Sequence, residues 1–392
     1  MPKRGTSAGR AMRALWDRPE KQLRSLDGLR ALAVLLVVCH HWSASRYLEA
    51  LASTPDRTAQ LARLQEFPVF FFGWAGVDLF FVLSGYLIGA QLFRELHREG
   101  SIHLGRFLLR RGLRIWPLYY ASFLVFRMTG SHIEMHWSDL FFLSNYAPGG
   151  MLRGWSLSTE EQFYIAAPLL LIGLRRVVPL RRFIWVLVGV EALVLAWRGF
   201  LFHGLEPALA PSLERDFTLV YPIHVHVEGL LAGMTLALLR LTRPALFESV
   251  PGAASARGLV VLLGAAICAG AFRSVHDGWF SFLALGLLFG GVAYWALVDA
   301  SWLSAPLRWR VWYPVSRLSY GMYLNHLVVF PGAYPKITAL LASFHDGVVF
   351  VSLAGAAIVC VLSLGFAALT FFVIERPFLQ LRDLIFPPRK PA

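Results

Sequence analysis

Residues Leu26–Trp42 read LDGLRALAVLLVVCHHW. The stretch is apolar enough to cross a bilayer, yet it holds Arg30 near one end and His40 and His41 near the other. His41 follows Arg30 by eleven positions. That is close to three whole helical turns, so the two side chains share a face and stand about 16 Å apart along the axis. His40 points roughly 80° away from that face. An ionisable group inside a membrane helix costs about 2.5–3.5 kcal/mol on insertion scales and usually faces a polar interior. Two on one stripe describe a helix that lines a cavity. The plainer alternative is that Arg30 snorkels to the inner headgroups while His41 reaches the outer ones.

Composition agrees with a membrane setting. The 392 residues would allow two or three soluble domains, but 57% are hydrophobic and 16% charged. With a mean hydropathy of +0.56, these values describe an integral membrane protein. The formal net charge of +13 would indicate a nucleic-acid partner in a soluble chain. Here the basic residues are explained by their placement, and no nucleic-acid partner is expected. Cys39, Cys268 and Cys360 stand singly in apolar segments, so they read as small core residues, and no metal site is expected. The first 25 residues are basic and lack an apolar run, so no signal peptide is expected.

Segments near 26–44, 69–93, 107–128, 155–174, 183–202, 216–239, 258–272, 278–298, 316–342 and 348–374 are long and apolar enough to span. With the N-terminus inside, arginines such as Arg94, Arg98, Arg106, Arg175, Arg176, Arg181, Arg182, Arg240 and Arg243 fall on the inner side. The expected fold is therefore all-α, a polytopic membrane protein of about ten transmembrane helices with both termini cytoplasmic. Residues 1–25 form a basic cytoplasmic segment, 26–378 the transmembrane domain and 379–392 a cytoplasmic tail. The piece from Asp139 to Tyr146 is too short to cross and reads as a re-entrant or surface element.

Six stretches carry polar residues into this apolar frame. Gly73–Gly89 places Asp78 and Ser84 among four glycines, which favour close approach of a neighbouring helix or ligand. Arg106–Tyr120, RFLLRRGLRIWPLYY, sets Arg110, Arg111 and Arg114 at one helix end, with Pro117 bending the helix just beyond. Guanidinium forks suit phosphate oxygens, although such a cluster could equally rest on anionic lipid. In GWSLSTEEQFY, Ser158 and Glu161 have capping-box spacing, which leaves Glu160 in need of a partner such as an Arg or His. His224, His226 and Glu228 recur at spacing two, which is not an established metal-ligand pattern, and their role stays open. Tyr320, Tyr323 and His326 share a slowly drifting face of SYGMYLNHLVVFP, with Pro331 expected to break the helix. Near the end, IERPF joins Glu375 and Arg376 as a carboxylate–guanidinium pair before a helix-stopping proline.

Taken together, these stretches resemble the acyltransferase-3 family of integral membrane acyltransferases. LDGLRALAVLLVVCHHW, GVDLFFVLSGYLIG, RRGLRIWPLYY, WSLSTEEQFY, SYGMYLNH and IERPF occur in family order and cover nearly the whole chain. The resemblance implies a ten-helix protein of the cytoplasmic (inner) membrane. Such a protein moves an acyl group, usually acetyl, from cytoplasmic acyl-coenzyme A to a hydroxyl, often on an extracytoplasmic carbohydrate. A lipid or a small natural product is an alternative acceptor. By position, Arg30 and His41 match the motif whose histidine serves as catalytic base, and Arg111 and Arg114 match the pair assigned to the acyl donor. The string IHVHVEG departs from the form found in some members, which puts the acceptor side in doubt.

The residues fit this chemistry on their own terms. Arg110, Arg111 and Arg114 would hold the phosphates of acetyl-coenzyme A, and the thioester would lie deeper, near His41. Neutral His41 would take the acceptor's proton and pass it to the leaving thiolate. Asp78, Ser84, Glu160, Glu161, Tyr320, Tyr323 and His326 are candidates to orient His41 or to position the acceptor. A transporter or flippase could use the same charges as a substrate path, but the hydropathy shows no inverted repeat.

Overall fold

The computed structural model describes residues 15–16, 23–43, 56, 59, 70, 72–128, 135–150, 154–205, 213–248, 278–298, 304–345 and 347–387. Its longer elements, in chain order, are helices α1 (Arg24–Ser43), α2 (Gly76–Glu99), α3 (Leu104–Met128), α4 (Trp155–Leu174) and α5 (Phe183–Leu205). There follow α6 (Leu213–Leu219), α7 (Glu228–Thr242), α8 (Ser281–Val298), α9 (Trp312–Phe344), α10 (Val348–Thr370) and α11 (Arg376–Ile385). Among the described residues there is no strand. Four stretches among the described residues are long and apolar enough to cross a bilayer: Gly73–Glu99, Leu180–Leu205, Ser281–Val298 and Val348–Ile385. The charges and histidines of α1, α3 and α9 dilute their apolar runs, so the ten expected spans are not all marked in this way. The expected span at 258–272 lies outside the described residues, as do the polar ends 1–14 and 388–392 and most of the loop 45–68.

The chain forms two compact units. The first comprises Met1–Val77, Leu109–His132 and Pro306–Ala392. In it α1 packs against α9 and α10, and those two pack against each other. Hydrocarbon is as apolar as leucine, so helices in a bilayer are held by close packing and hydrogen bonds rather than by a hydrophobic drive. Trp42 shows both. Its ring is fully buried and lies 4.3 Å from that of Tyr334, and Nε1–H donates to the Ser352 carbonyl at 2.9 Å. Gly355 makes the fit possible, because a Cβ there would lie 2.0 Å from the indole. The C-terminal end of α1, which carries His40 and His41, is thereby fixed to α10.

The second unit comprises Asp78–Leu108 and Ile133–Ala305. Here α7 packs against α5 and α8. Glycines also let α7 meet α2 at backbone distance: a Cβ on Gly85 would fall 2.0 Å from the Leu230 carbonyl oxygen, and one on Gly233 2.0 Å from that of Val82. The small-residue reading of Gly73–Gly89 is thus a packing role at Gly85.

Four expectations need correction. The segment 216–239 is not one helix. Pro222 is extended and opens a 3-10 turn at Ile223–Val225, and α7 begins only at Glu228. Ser158 is not an N-cap, because α4 already begins at Trp155 and the Ser158 amide donates to the Gly154 carbonyl. The piece from Asp139 to Tyr146, expected to be too short to cross, takes the form of a helical turn, Trp137–Leu140, and a run of turns, in which Asp139 accepts from the amides of His136 and Gly150. Pro331 does not end α9, which continues to Phe344. A proline inside a membrane helix is tolerated when neighbours and local adjustment re-satisfy the freed groups. Pro377 likewise starts a helix rather than stopping one: it occupies the first turn of α11, where its missing N–H costs nothing.

Candidate active site

His41 and His326 meet within the first unit. His41 Nδ1 and His326 Nε2 lie 2.7 Å apart, and their ring planes differ by 5°. The far nitrogen of His326, Nδ1, faces the carbonyls of Tyr323 at 2.6 Å and Met322 at 3.2 Å. A carbonyl only accepts, so Nδ1 of His326 carries its proton, and in a neutral ring Nε2 then bears the lone pair. The proton between the two rings therefore belongs to His41 Nδ1. His41 is left with its lone pair on Nε2, the nitrogen a general base uses. His326 itself is buried at 1% exposure, so its ring has no freedom to swing away. The adjacent His40 has a different partner, donating from Nδ1 to the Phe70 carbonyl at 3.0 Å.

Hydrogen bonds register α9 against α3 in the same unit. Tyr320 donates to the Ile115 carbonyl at 2.8 Å, and Ser122 Oγ lies 3.2 Å from Asn325 Oδ1. Positions therefore rise together along the two helices, with Asn325 tied on its other side to Thr370 at 3.3 Å. By that register His326 stands roughly 12 Å beyond Arg114 along the axis, and roughly 18 Å beyond Arg110. Tyr323 lies one turn before His326, with ring centroids 6.0 Å apart. Arg30 sits on α1, half-buried, on the helix face it shares with His41.

The cations of α3 are less uniform than the sequence implies. Arg110 donates from Nη1 to the Phe386 carbonyl at 2.8 Å, so it anchors the end of α11. Arg114 stands in the field of Glu375, which also feels Arg317. Glu375 closes a π-helical turn, Phe371–Glu375, and is buried at 7% exposure. The expected Glu375–Arg376 pair gives way to this arrangement, and the Arg376 guanidinium lies 5.9 Å from the Phe372 ring centroid instead. Sequence reading missed Arg317. It precedes Tyr320 by one turn of α9, and its guanidinium rests 5.2 Å from the Phe371 ring centroid.

Asp78, Ser84, Glu160 and Glu161 belong to the second unit. Glu160 accepts from two hydroxyls: Ser84 donates to Oε1 at 2.7 Å and Tyr164 to Oε2 at 2.9 Å. Glu161 is buried beside it in the sequence, at 9% exposure. Asp78 accepts from His226 Nε2 at 2.9 Å, and His226 Nδ1 donates to the Val220 carbonyl at 2.9 Å. The His226 ring is stacked on Phe282 at 3.4 Å. His224 faces elsewhere, with Nδ1 2.9 Å from the Tyr146 hydroxyl. The two histidines of the HVHVE string thus serve different partners, as their position on an irregular turn allows.

A family model described as an acyltransferase domain matches residues 23–372. The chain is 28% identical to peptidoglycan O-acetyltransferase OatA of Listeria monocytogenes, a match covering 81% of the chain and 50% of that relative. It is 26% identical to a putative O-acetyltransferase of Staphylococcus aureus, covering 91% of the chain and 57% of the relative. A putative peptidoglycan O-acetyltransferase of Bacillus subtilis, YrhL, is 27% identical over 79% of the chain and 49% of its own length. The chain spans about half the length of these relatives. No solved structure matches it.

Proposed function

Because the chain belongs to the acyltransferase-3 family, we propose that it is a multi-pass membrane O-acetyltransferase in which His41 acts as general base. The donor is acetyl-coenzyme A, presented from the cytoplasm with its phosphates at Arg111 and Arg114. The acceptor is a hydroxyl of a cell-wall-type carbohydrate at or beyond the outer face, in keeping with relatives named peptidoglycan O-acetyltransferases. The protein lies in the cytoplasmic membrane with about ten spans and both termini inside, the arrangement its basic loops favour.

The observation that carries the reading is the His41–His326 pair, which leaves the lone pair of His41 on Nε2. The acceptor O–H gives its proton to that nitrogen as its oxygen forms a bond to the thioester carbonyl carbon. The carbon–sulfur bond then breaks, and His41 gives that proton to the leaving thiolate. Products are the O-acetyl ester and free coenzyme A, and His41 returns to its starting state. General-base help of this kind is worth about 10²–10⁴-fold. While His41 is cationic, its Nδ1–H bond to His326 becomes charge-assisted and strengthens. His326 therefore favours the transition state over the ground state, which is what raises turnover.

The test is acetyl transfer from radiolabelled acetyl-coenzyme A by the purified full chain, offered a panel of muropeptides, oligosaccharides and lipid-linked sugars. Alkali-labile label on a carbohydrate supports the reading. Folded protein that binds no acetyl-coenzyme A and labels nothing overturns it.

A further inference from the structure

Cys39 and Cys360 stand singly in the sequence, 321 positions apart, yet they meet in the first unit with their Sγ atoms 3.9 Å from each other. One lies on α1 and the other on α10, two helices that pack together. Both are free thiols, and both are only partly buried. Cys39 precedes His41 by two positions, which is about 200° around a helix. One side of α1 therefore takes His41 to His326 on α9, and the opposite side takes Cys39 to Cys360 on α10. Leu353, Ala357 and Cys360 follow at intervals of four and three, so they share a face of α10, and Leu353 and Ala357 are exposed. Val361, the next residue, is exposed as well. This face is apolar, so in a membrane protein it meets lipid, and a reagent that reaches the two thiols arrives from hydrocarbon.

We propose that Cys39 and Cys360 form a reversible oxidation site, at which a lipid hydroperoxide closes a disulfide between α1 and α10 and slows acetyl transfer. One sulfur bonds to the outer peroxide oxygen as the O–O bond breaks, and its proton leaves with the alkoxide as an alcohol. The product is a sulfenic acid, which condenses with a neighbouring thiol. The second sulfur bonds to the first, the S–O bond breaks, and hydroxide leaves with the second thiol's proton as water. Two thiols thus give up two electrons, and one hydroperoxide becomes an alcohol and water. A partner thiol already 3.9 Å away makes the second step intramolecular. A disulfide bond is about 2.0 Å long, so the sulfurs must approach by about 1.9 Å. That pull acts two residues from His41 and toward α10, away from the helix that holds His326. A displacement of about 1 Å at a reacting centre can cost about 10²-fold in rate. The effect on transfer rests on His41 being the base, whereas formation of the bridge does not.

The test treats the full chain in nanodiscs with linoleic acid hydroperoxide, alkylates it with iodoacetamide and digests it without reduction. Mass spectrometry should find the peptides of Cys39 and Cys360 joined, and dithiothreitol should release them. Hydrogen peroxide, which partitions poorly into hydrocarbon, should join them more slowly at equal concentration. In Cys360→Ala the reaction should stop at a sulfenic acid on Cys39, which dimedone traps. Turnover of the bridged protein should fall about tenfold or more and return on reduction. Cys360→Ala should keep its turnover through the same treatment. Thiols that both stay open to alkylation after excess hydroperoxide, or that the two peroxides join equally fast, overturn the proposal. A bridge that leaves turnover within twofold overturns its link to His41. A chain that forms the bridge but transfers no acetyl before oxidation overturns the proposed function and leaves the oxidation site standing. If Cys360→Ala does not fold, the wild-type bridge and its reversal by dithiothreitol decide the matter.

Discussion

Replacing His326 by Ala removes the group that fixes the tautomer of His41 and accepts its Nδ1–H at 2.7 Å. The magnitude follows from the charge state at which the lost bond matters. In the ground state His41 is neutral, and an ordinary hydrogen bond is worth about 0.5–1.5 kcal/mol net. In the transition state His41 carries a proton, and a bond to a charged group is worth about 1.5–3 kcal/mol. The difference, on the order of 1–2 kcal/mol, is a fall of about 5–30-fold in kcat, and tautomer freedom adds to it. The Michaelis constant for acetyl-coenzyme A should hardly move, because the proposed phosphate site lies roughly 12 Å away. His326→Gln, whose side-chain oxygen can still accept, should recover part of the loss. Steady-state kinetics at saturating acceptor, with far-UV circular dichroism as a control for folding, measure the effect. If kcat is within twofold of wild type in a folded His326→Ala protein, or only the donor Michaelis constant changes, the tautomer argument is wrong.

Further expectations concern the donor site, the packing and the topology. Arg111→Ala and Arg114→Ala should each weaken coenzyme A binding by calorimetry, with residual affinity that falls with salt. Lys should rescue only in part, because it offers no planar fork to a phosphate; unchanged affinity in both Ala variants would remove them from the site. Gly85→Ala drives a Cβ to within 2.0 Å of the Leu230 carbonyl oxygen and should cost about 1–3 kcal/mol or more. A melting temperature equal to wild type would show that α2 and α7 can separate freely. Cysteines introduced at 56 and 345 should react with an impermeant reagent from outside, and those at 98, 179 and 385 only after permeabilisation. External reaction at 179 would contradict the assigned orientation.

Much of the helical frame was legible from local spacing. The Arg30–His41 face needs only helical geometry, and the boundaries of α1, α4 and α5 follow from where apolar runs meet charges or Gly154. His326 was legible as a candidate but not as the partner of His41, because a contact across 285 positions depends on how α1 and α9 pack. The same limit hid Arg317 and Glu375. Hydropathy also reads HVHVEG as the middle of a span, whereas the turn after Pro222 aims His226 at Asp78 and His224 at Tyr146. Spacing gave Ser158 a cap, while its hydroxyl in fact lies 2.7 Å from that of Ser144 in a segment brought in from elsewhere. Sequence periods fix which face a side chain takes, and tertiary packing fixes whom it meets.

The most direct test compares His41→Ala with His40→Ala in the acetyl-transfer assay. His40 donates to the Phe70 carbonyl, whereas His41 Nδ1 meets His326. His41→Ala should lower turnover by about 10²–10⁴-fold while the folded protein still binds acetyl-coenzyme A. His40→Ala should keep most of its turnover and lose stability instead. Full activity in His41→Ala, or equal loss in the two variants, would contradict the assignment of His41 as the base.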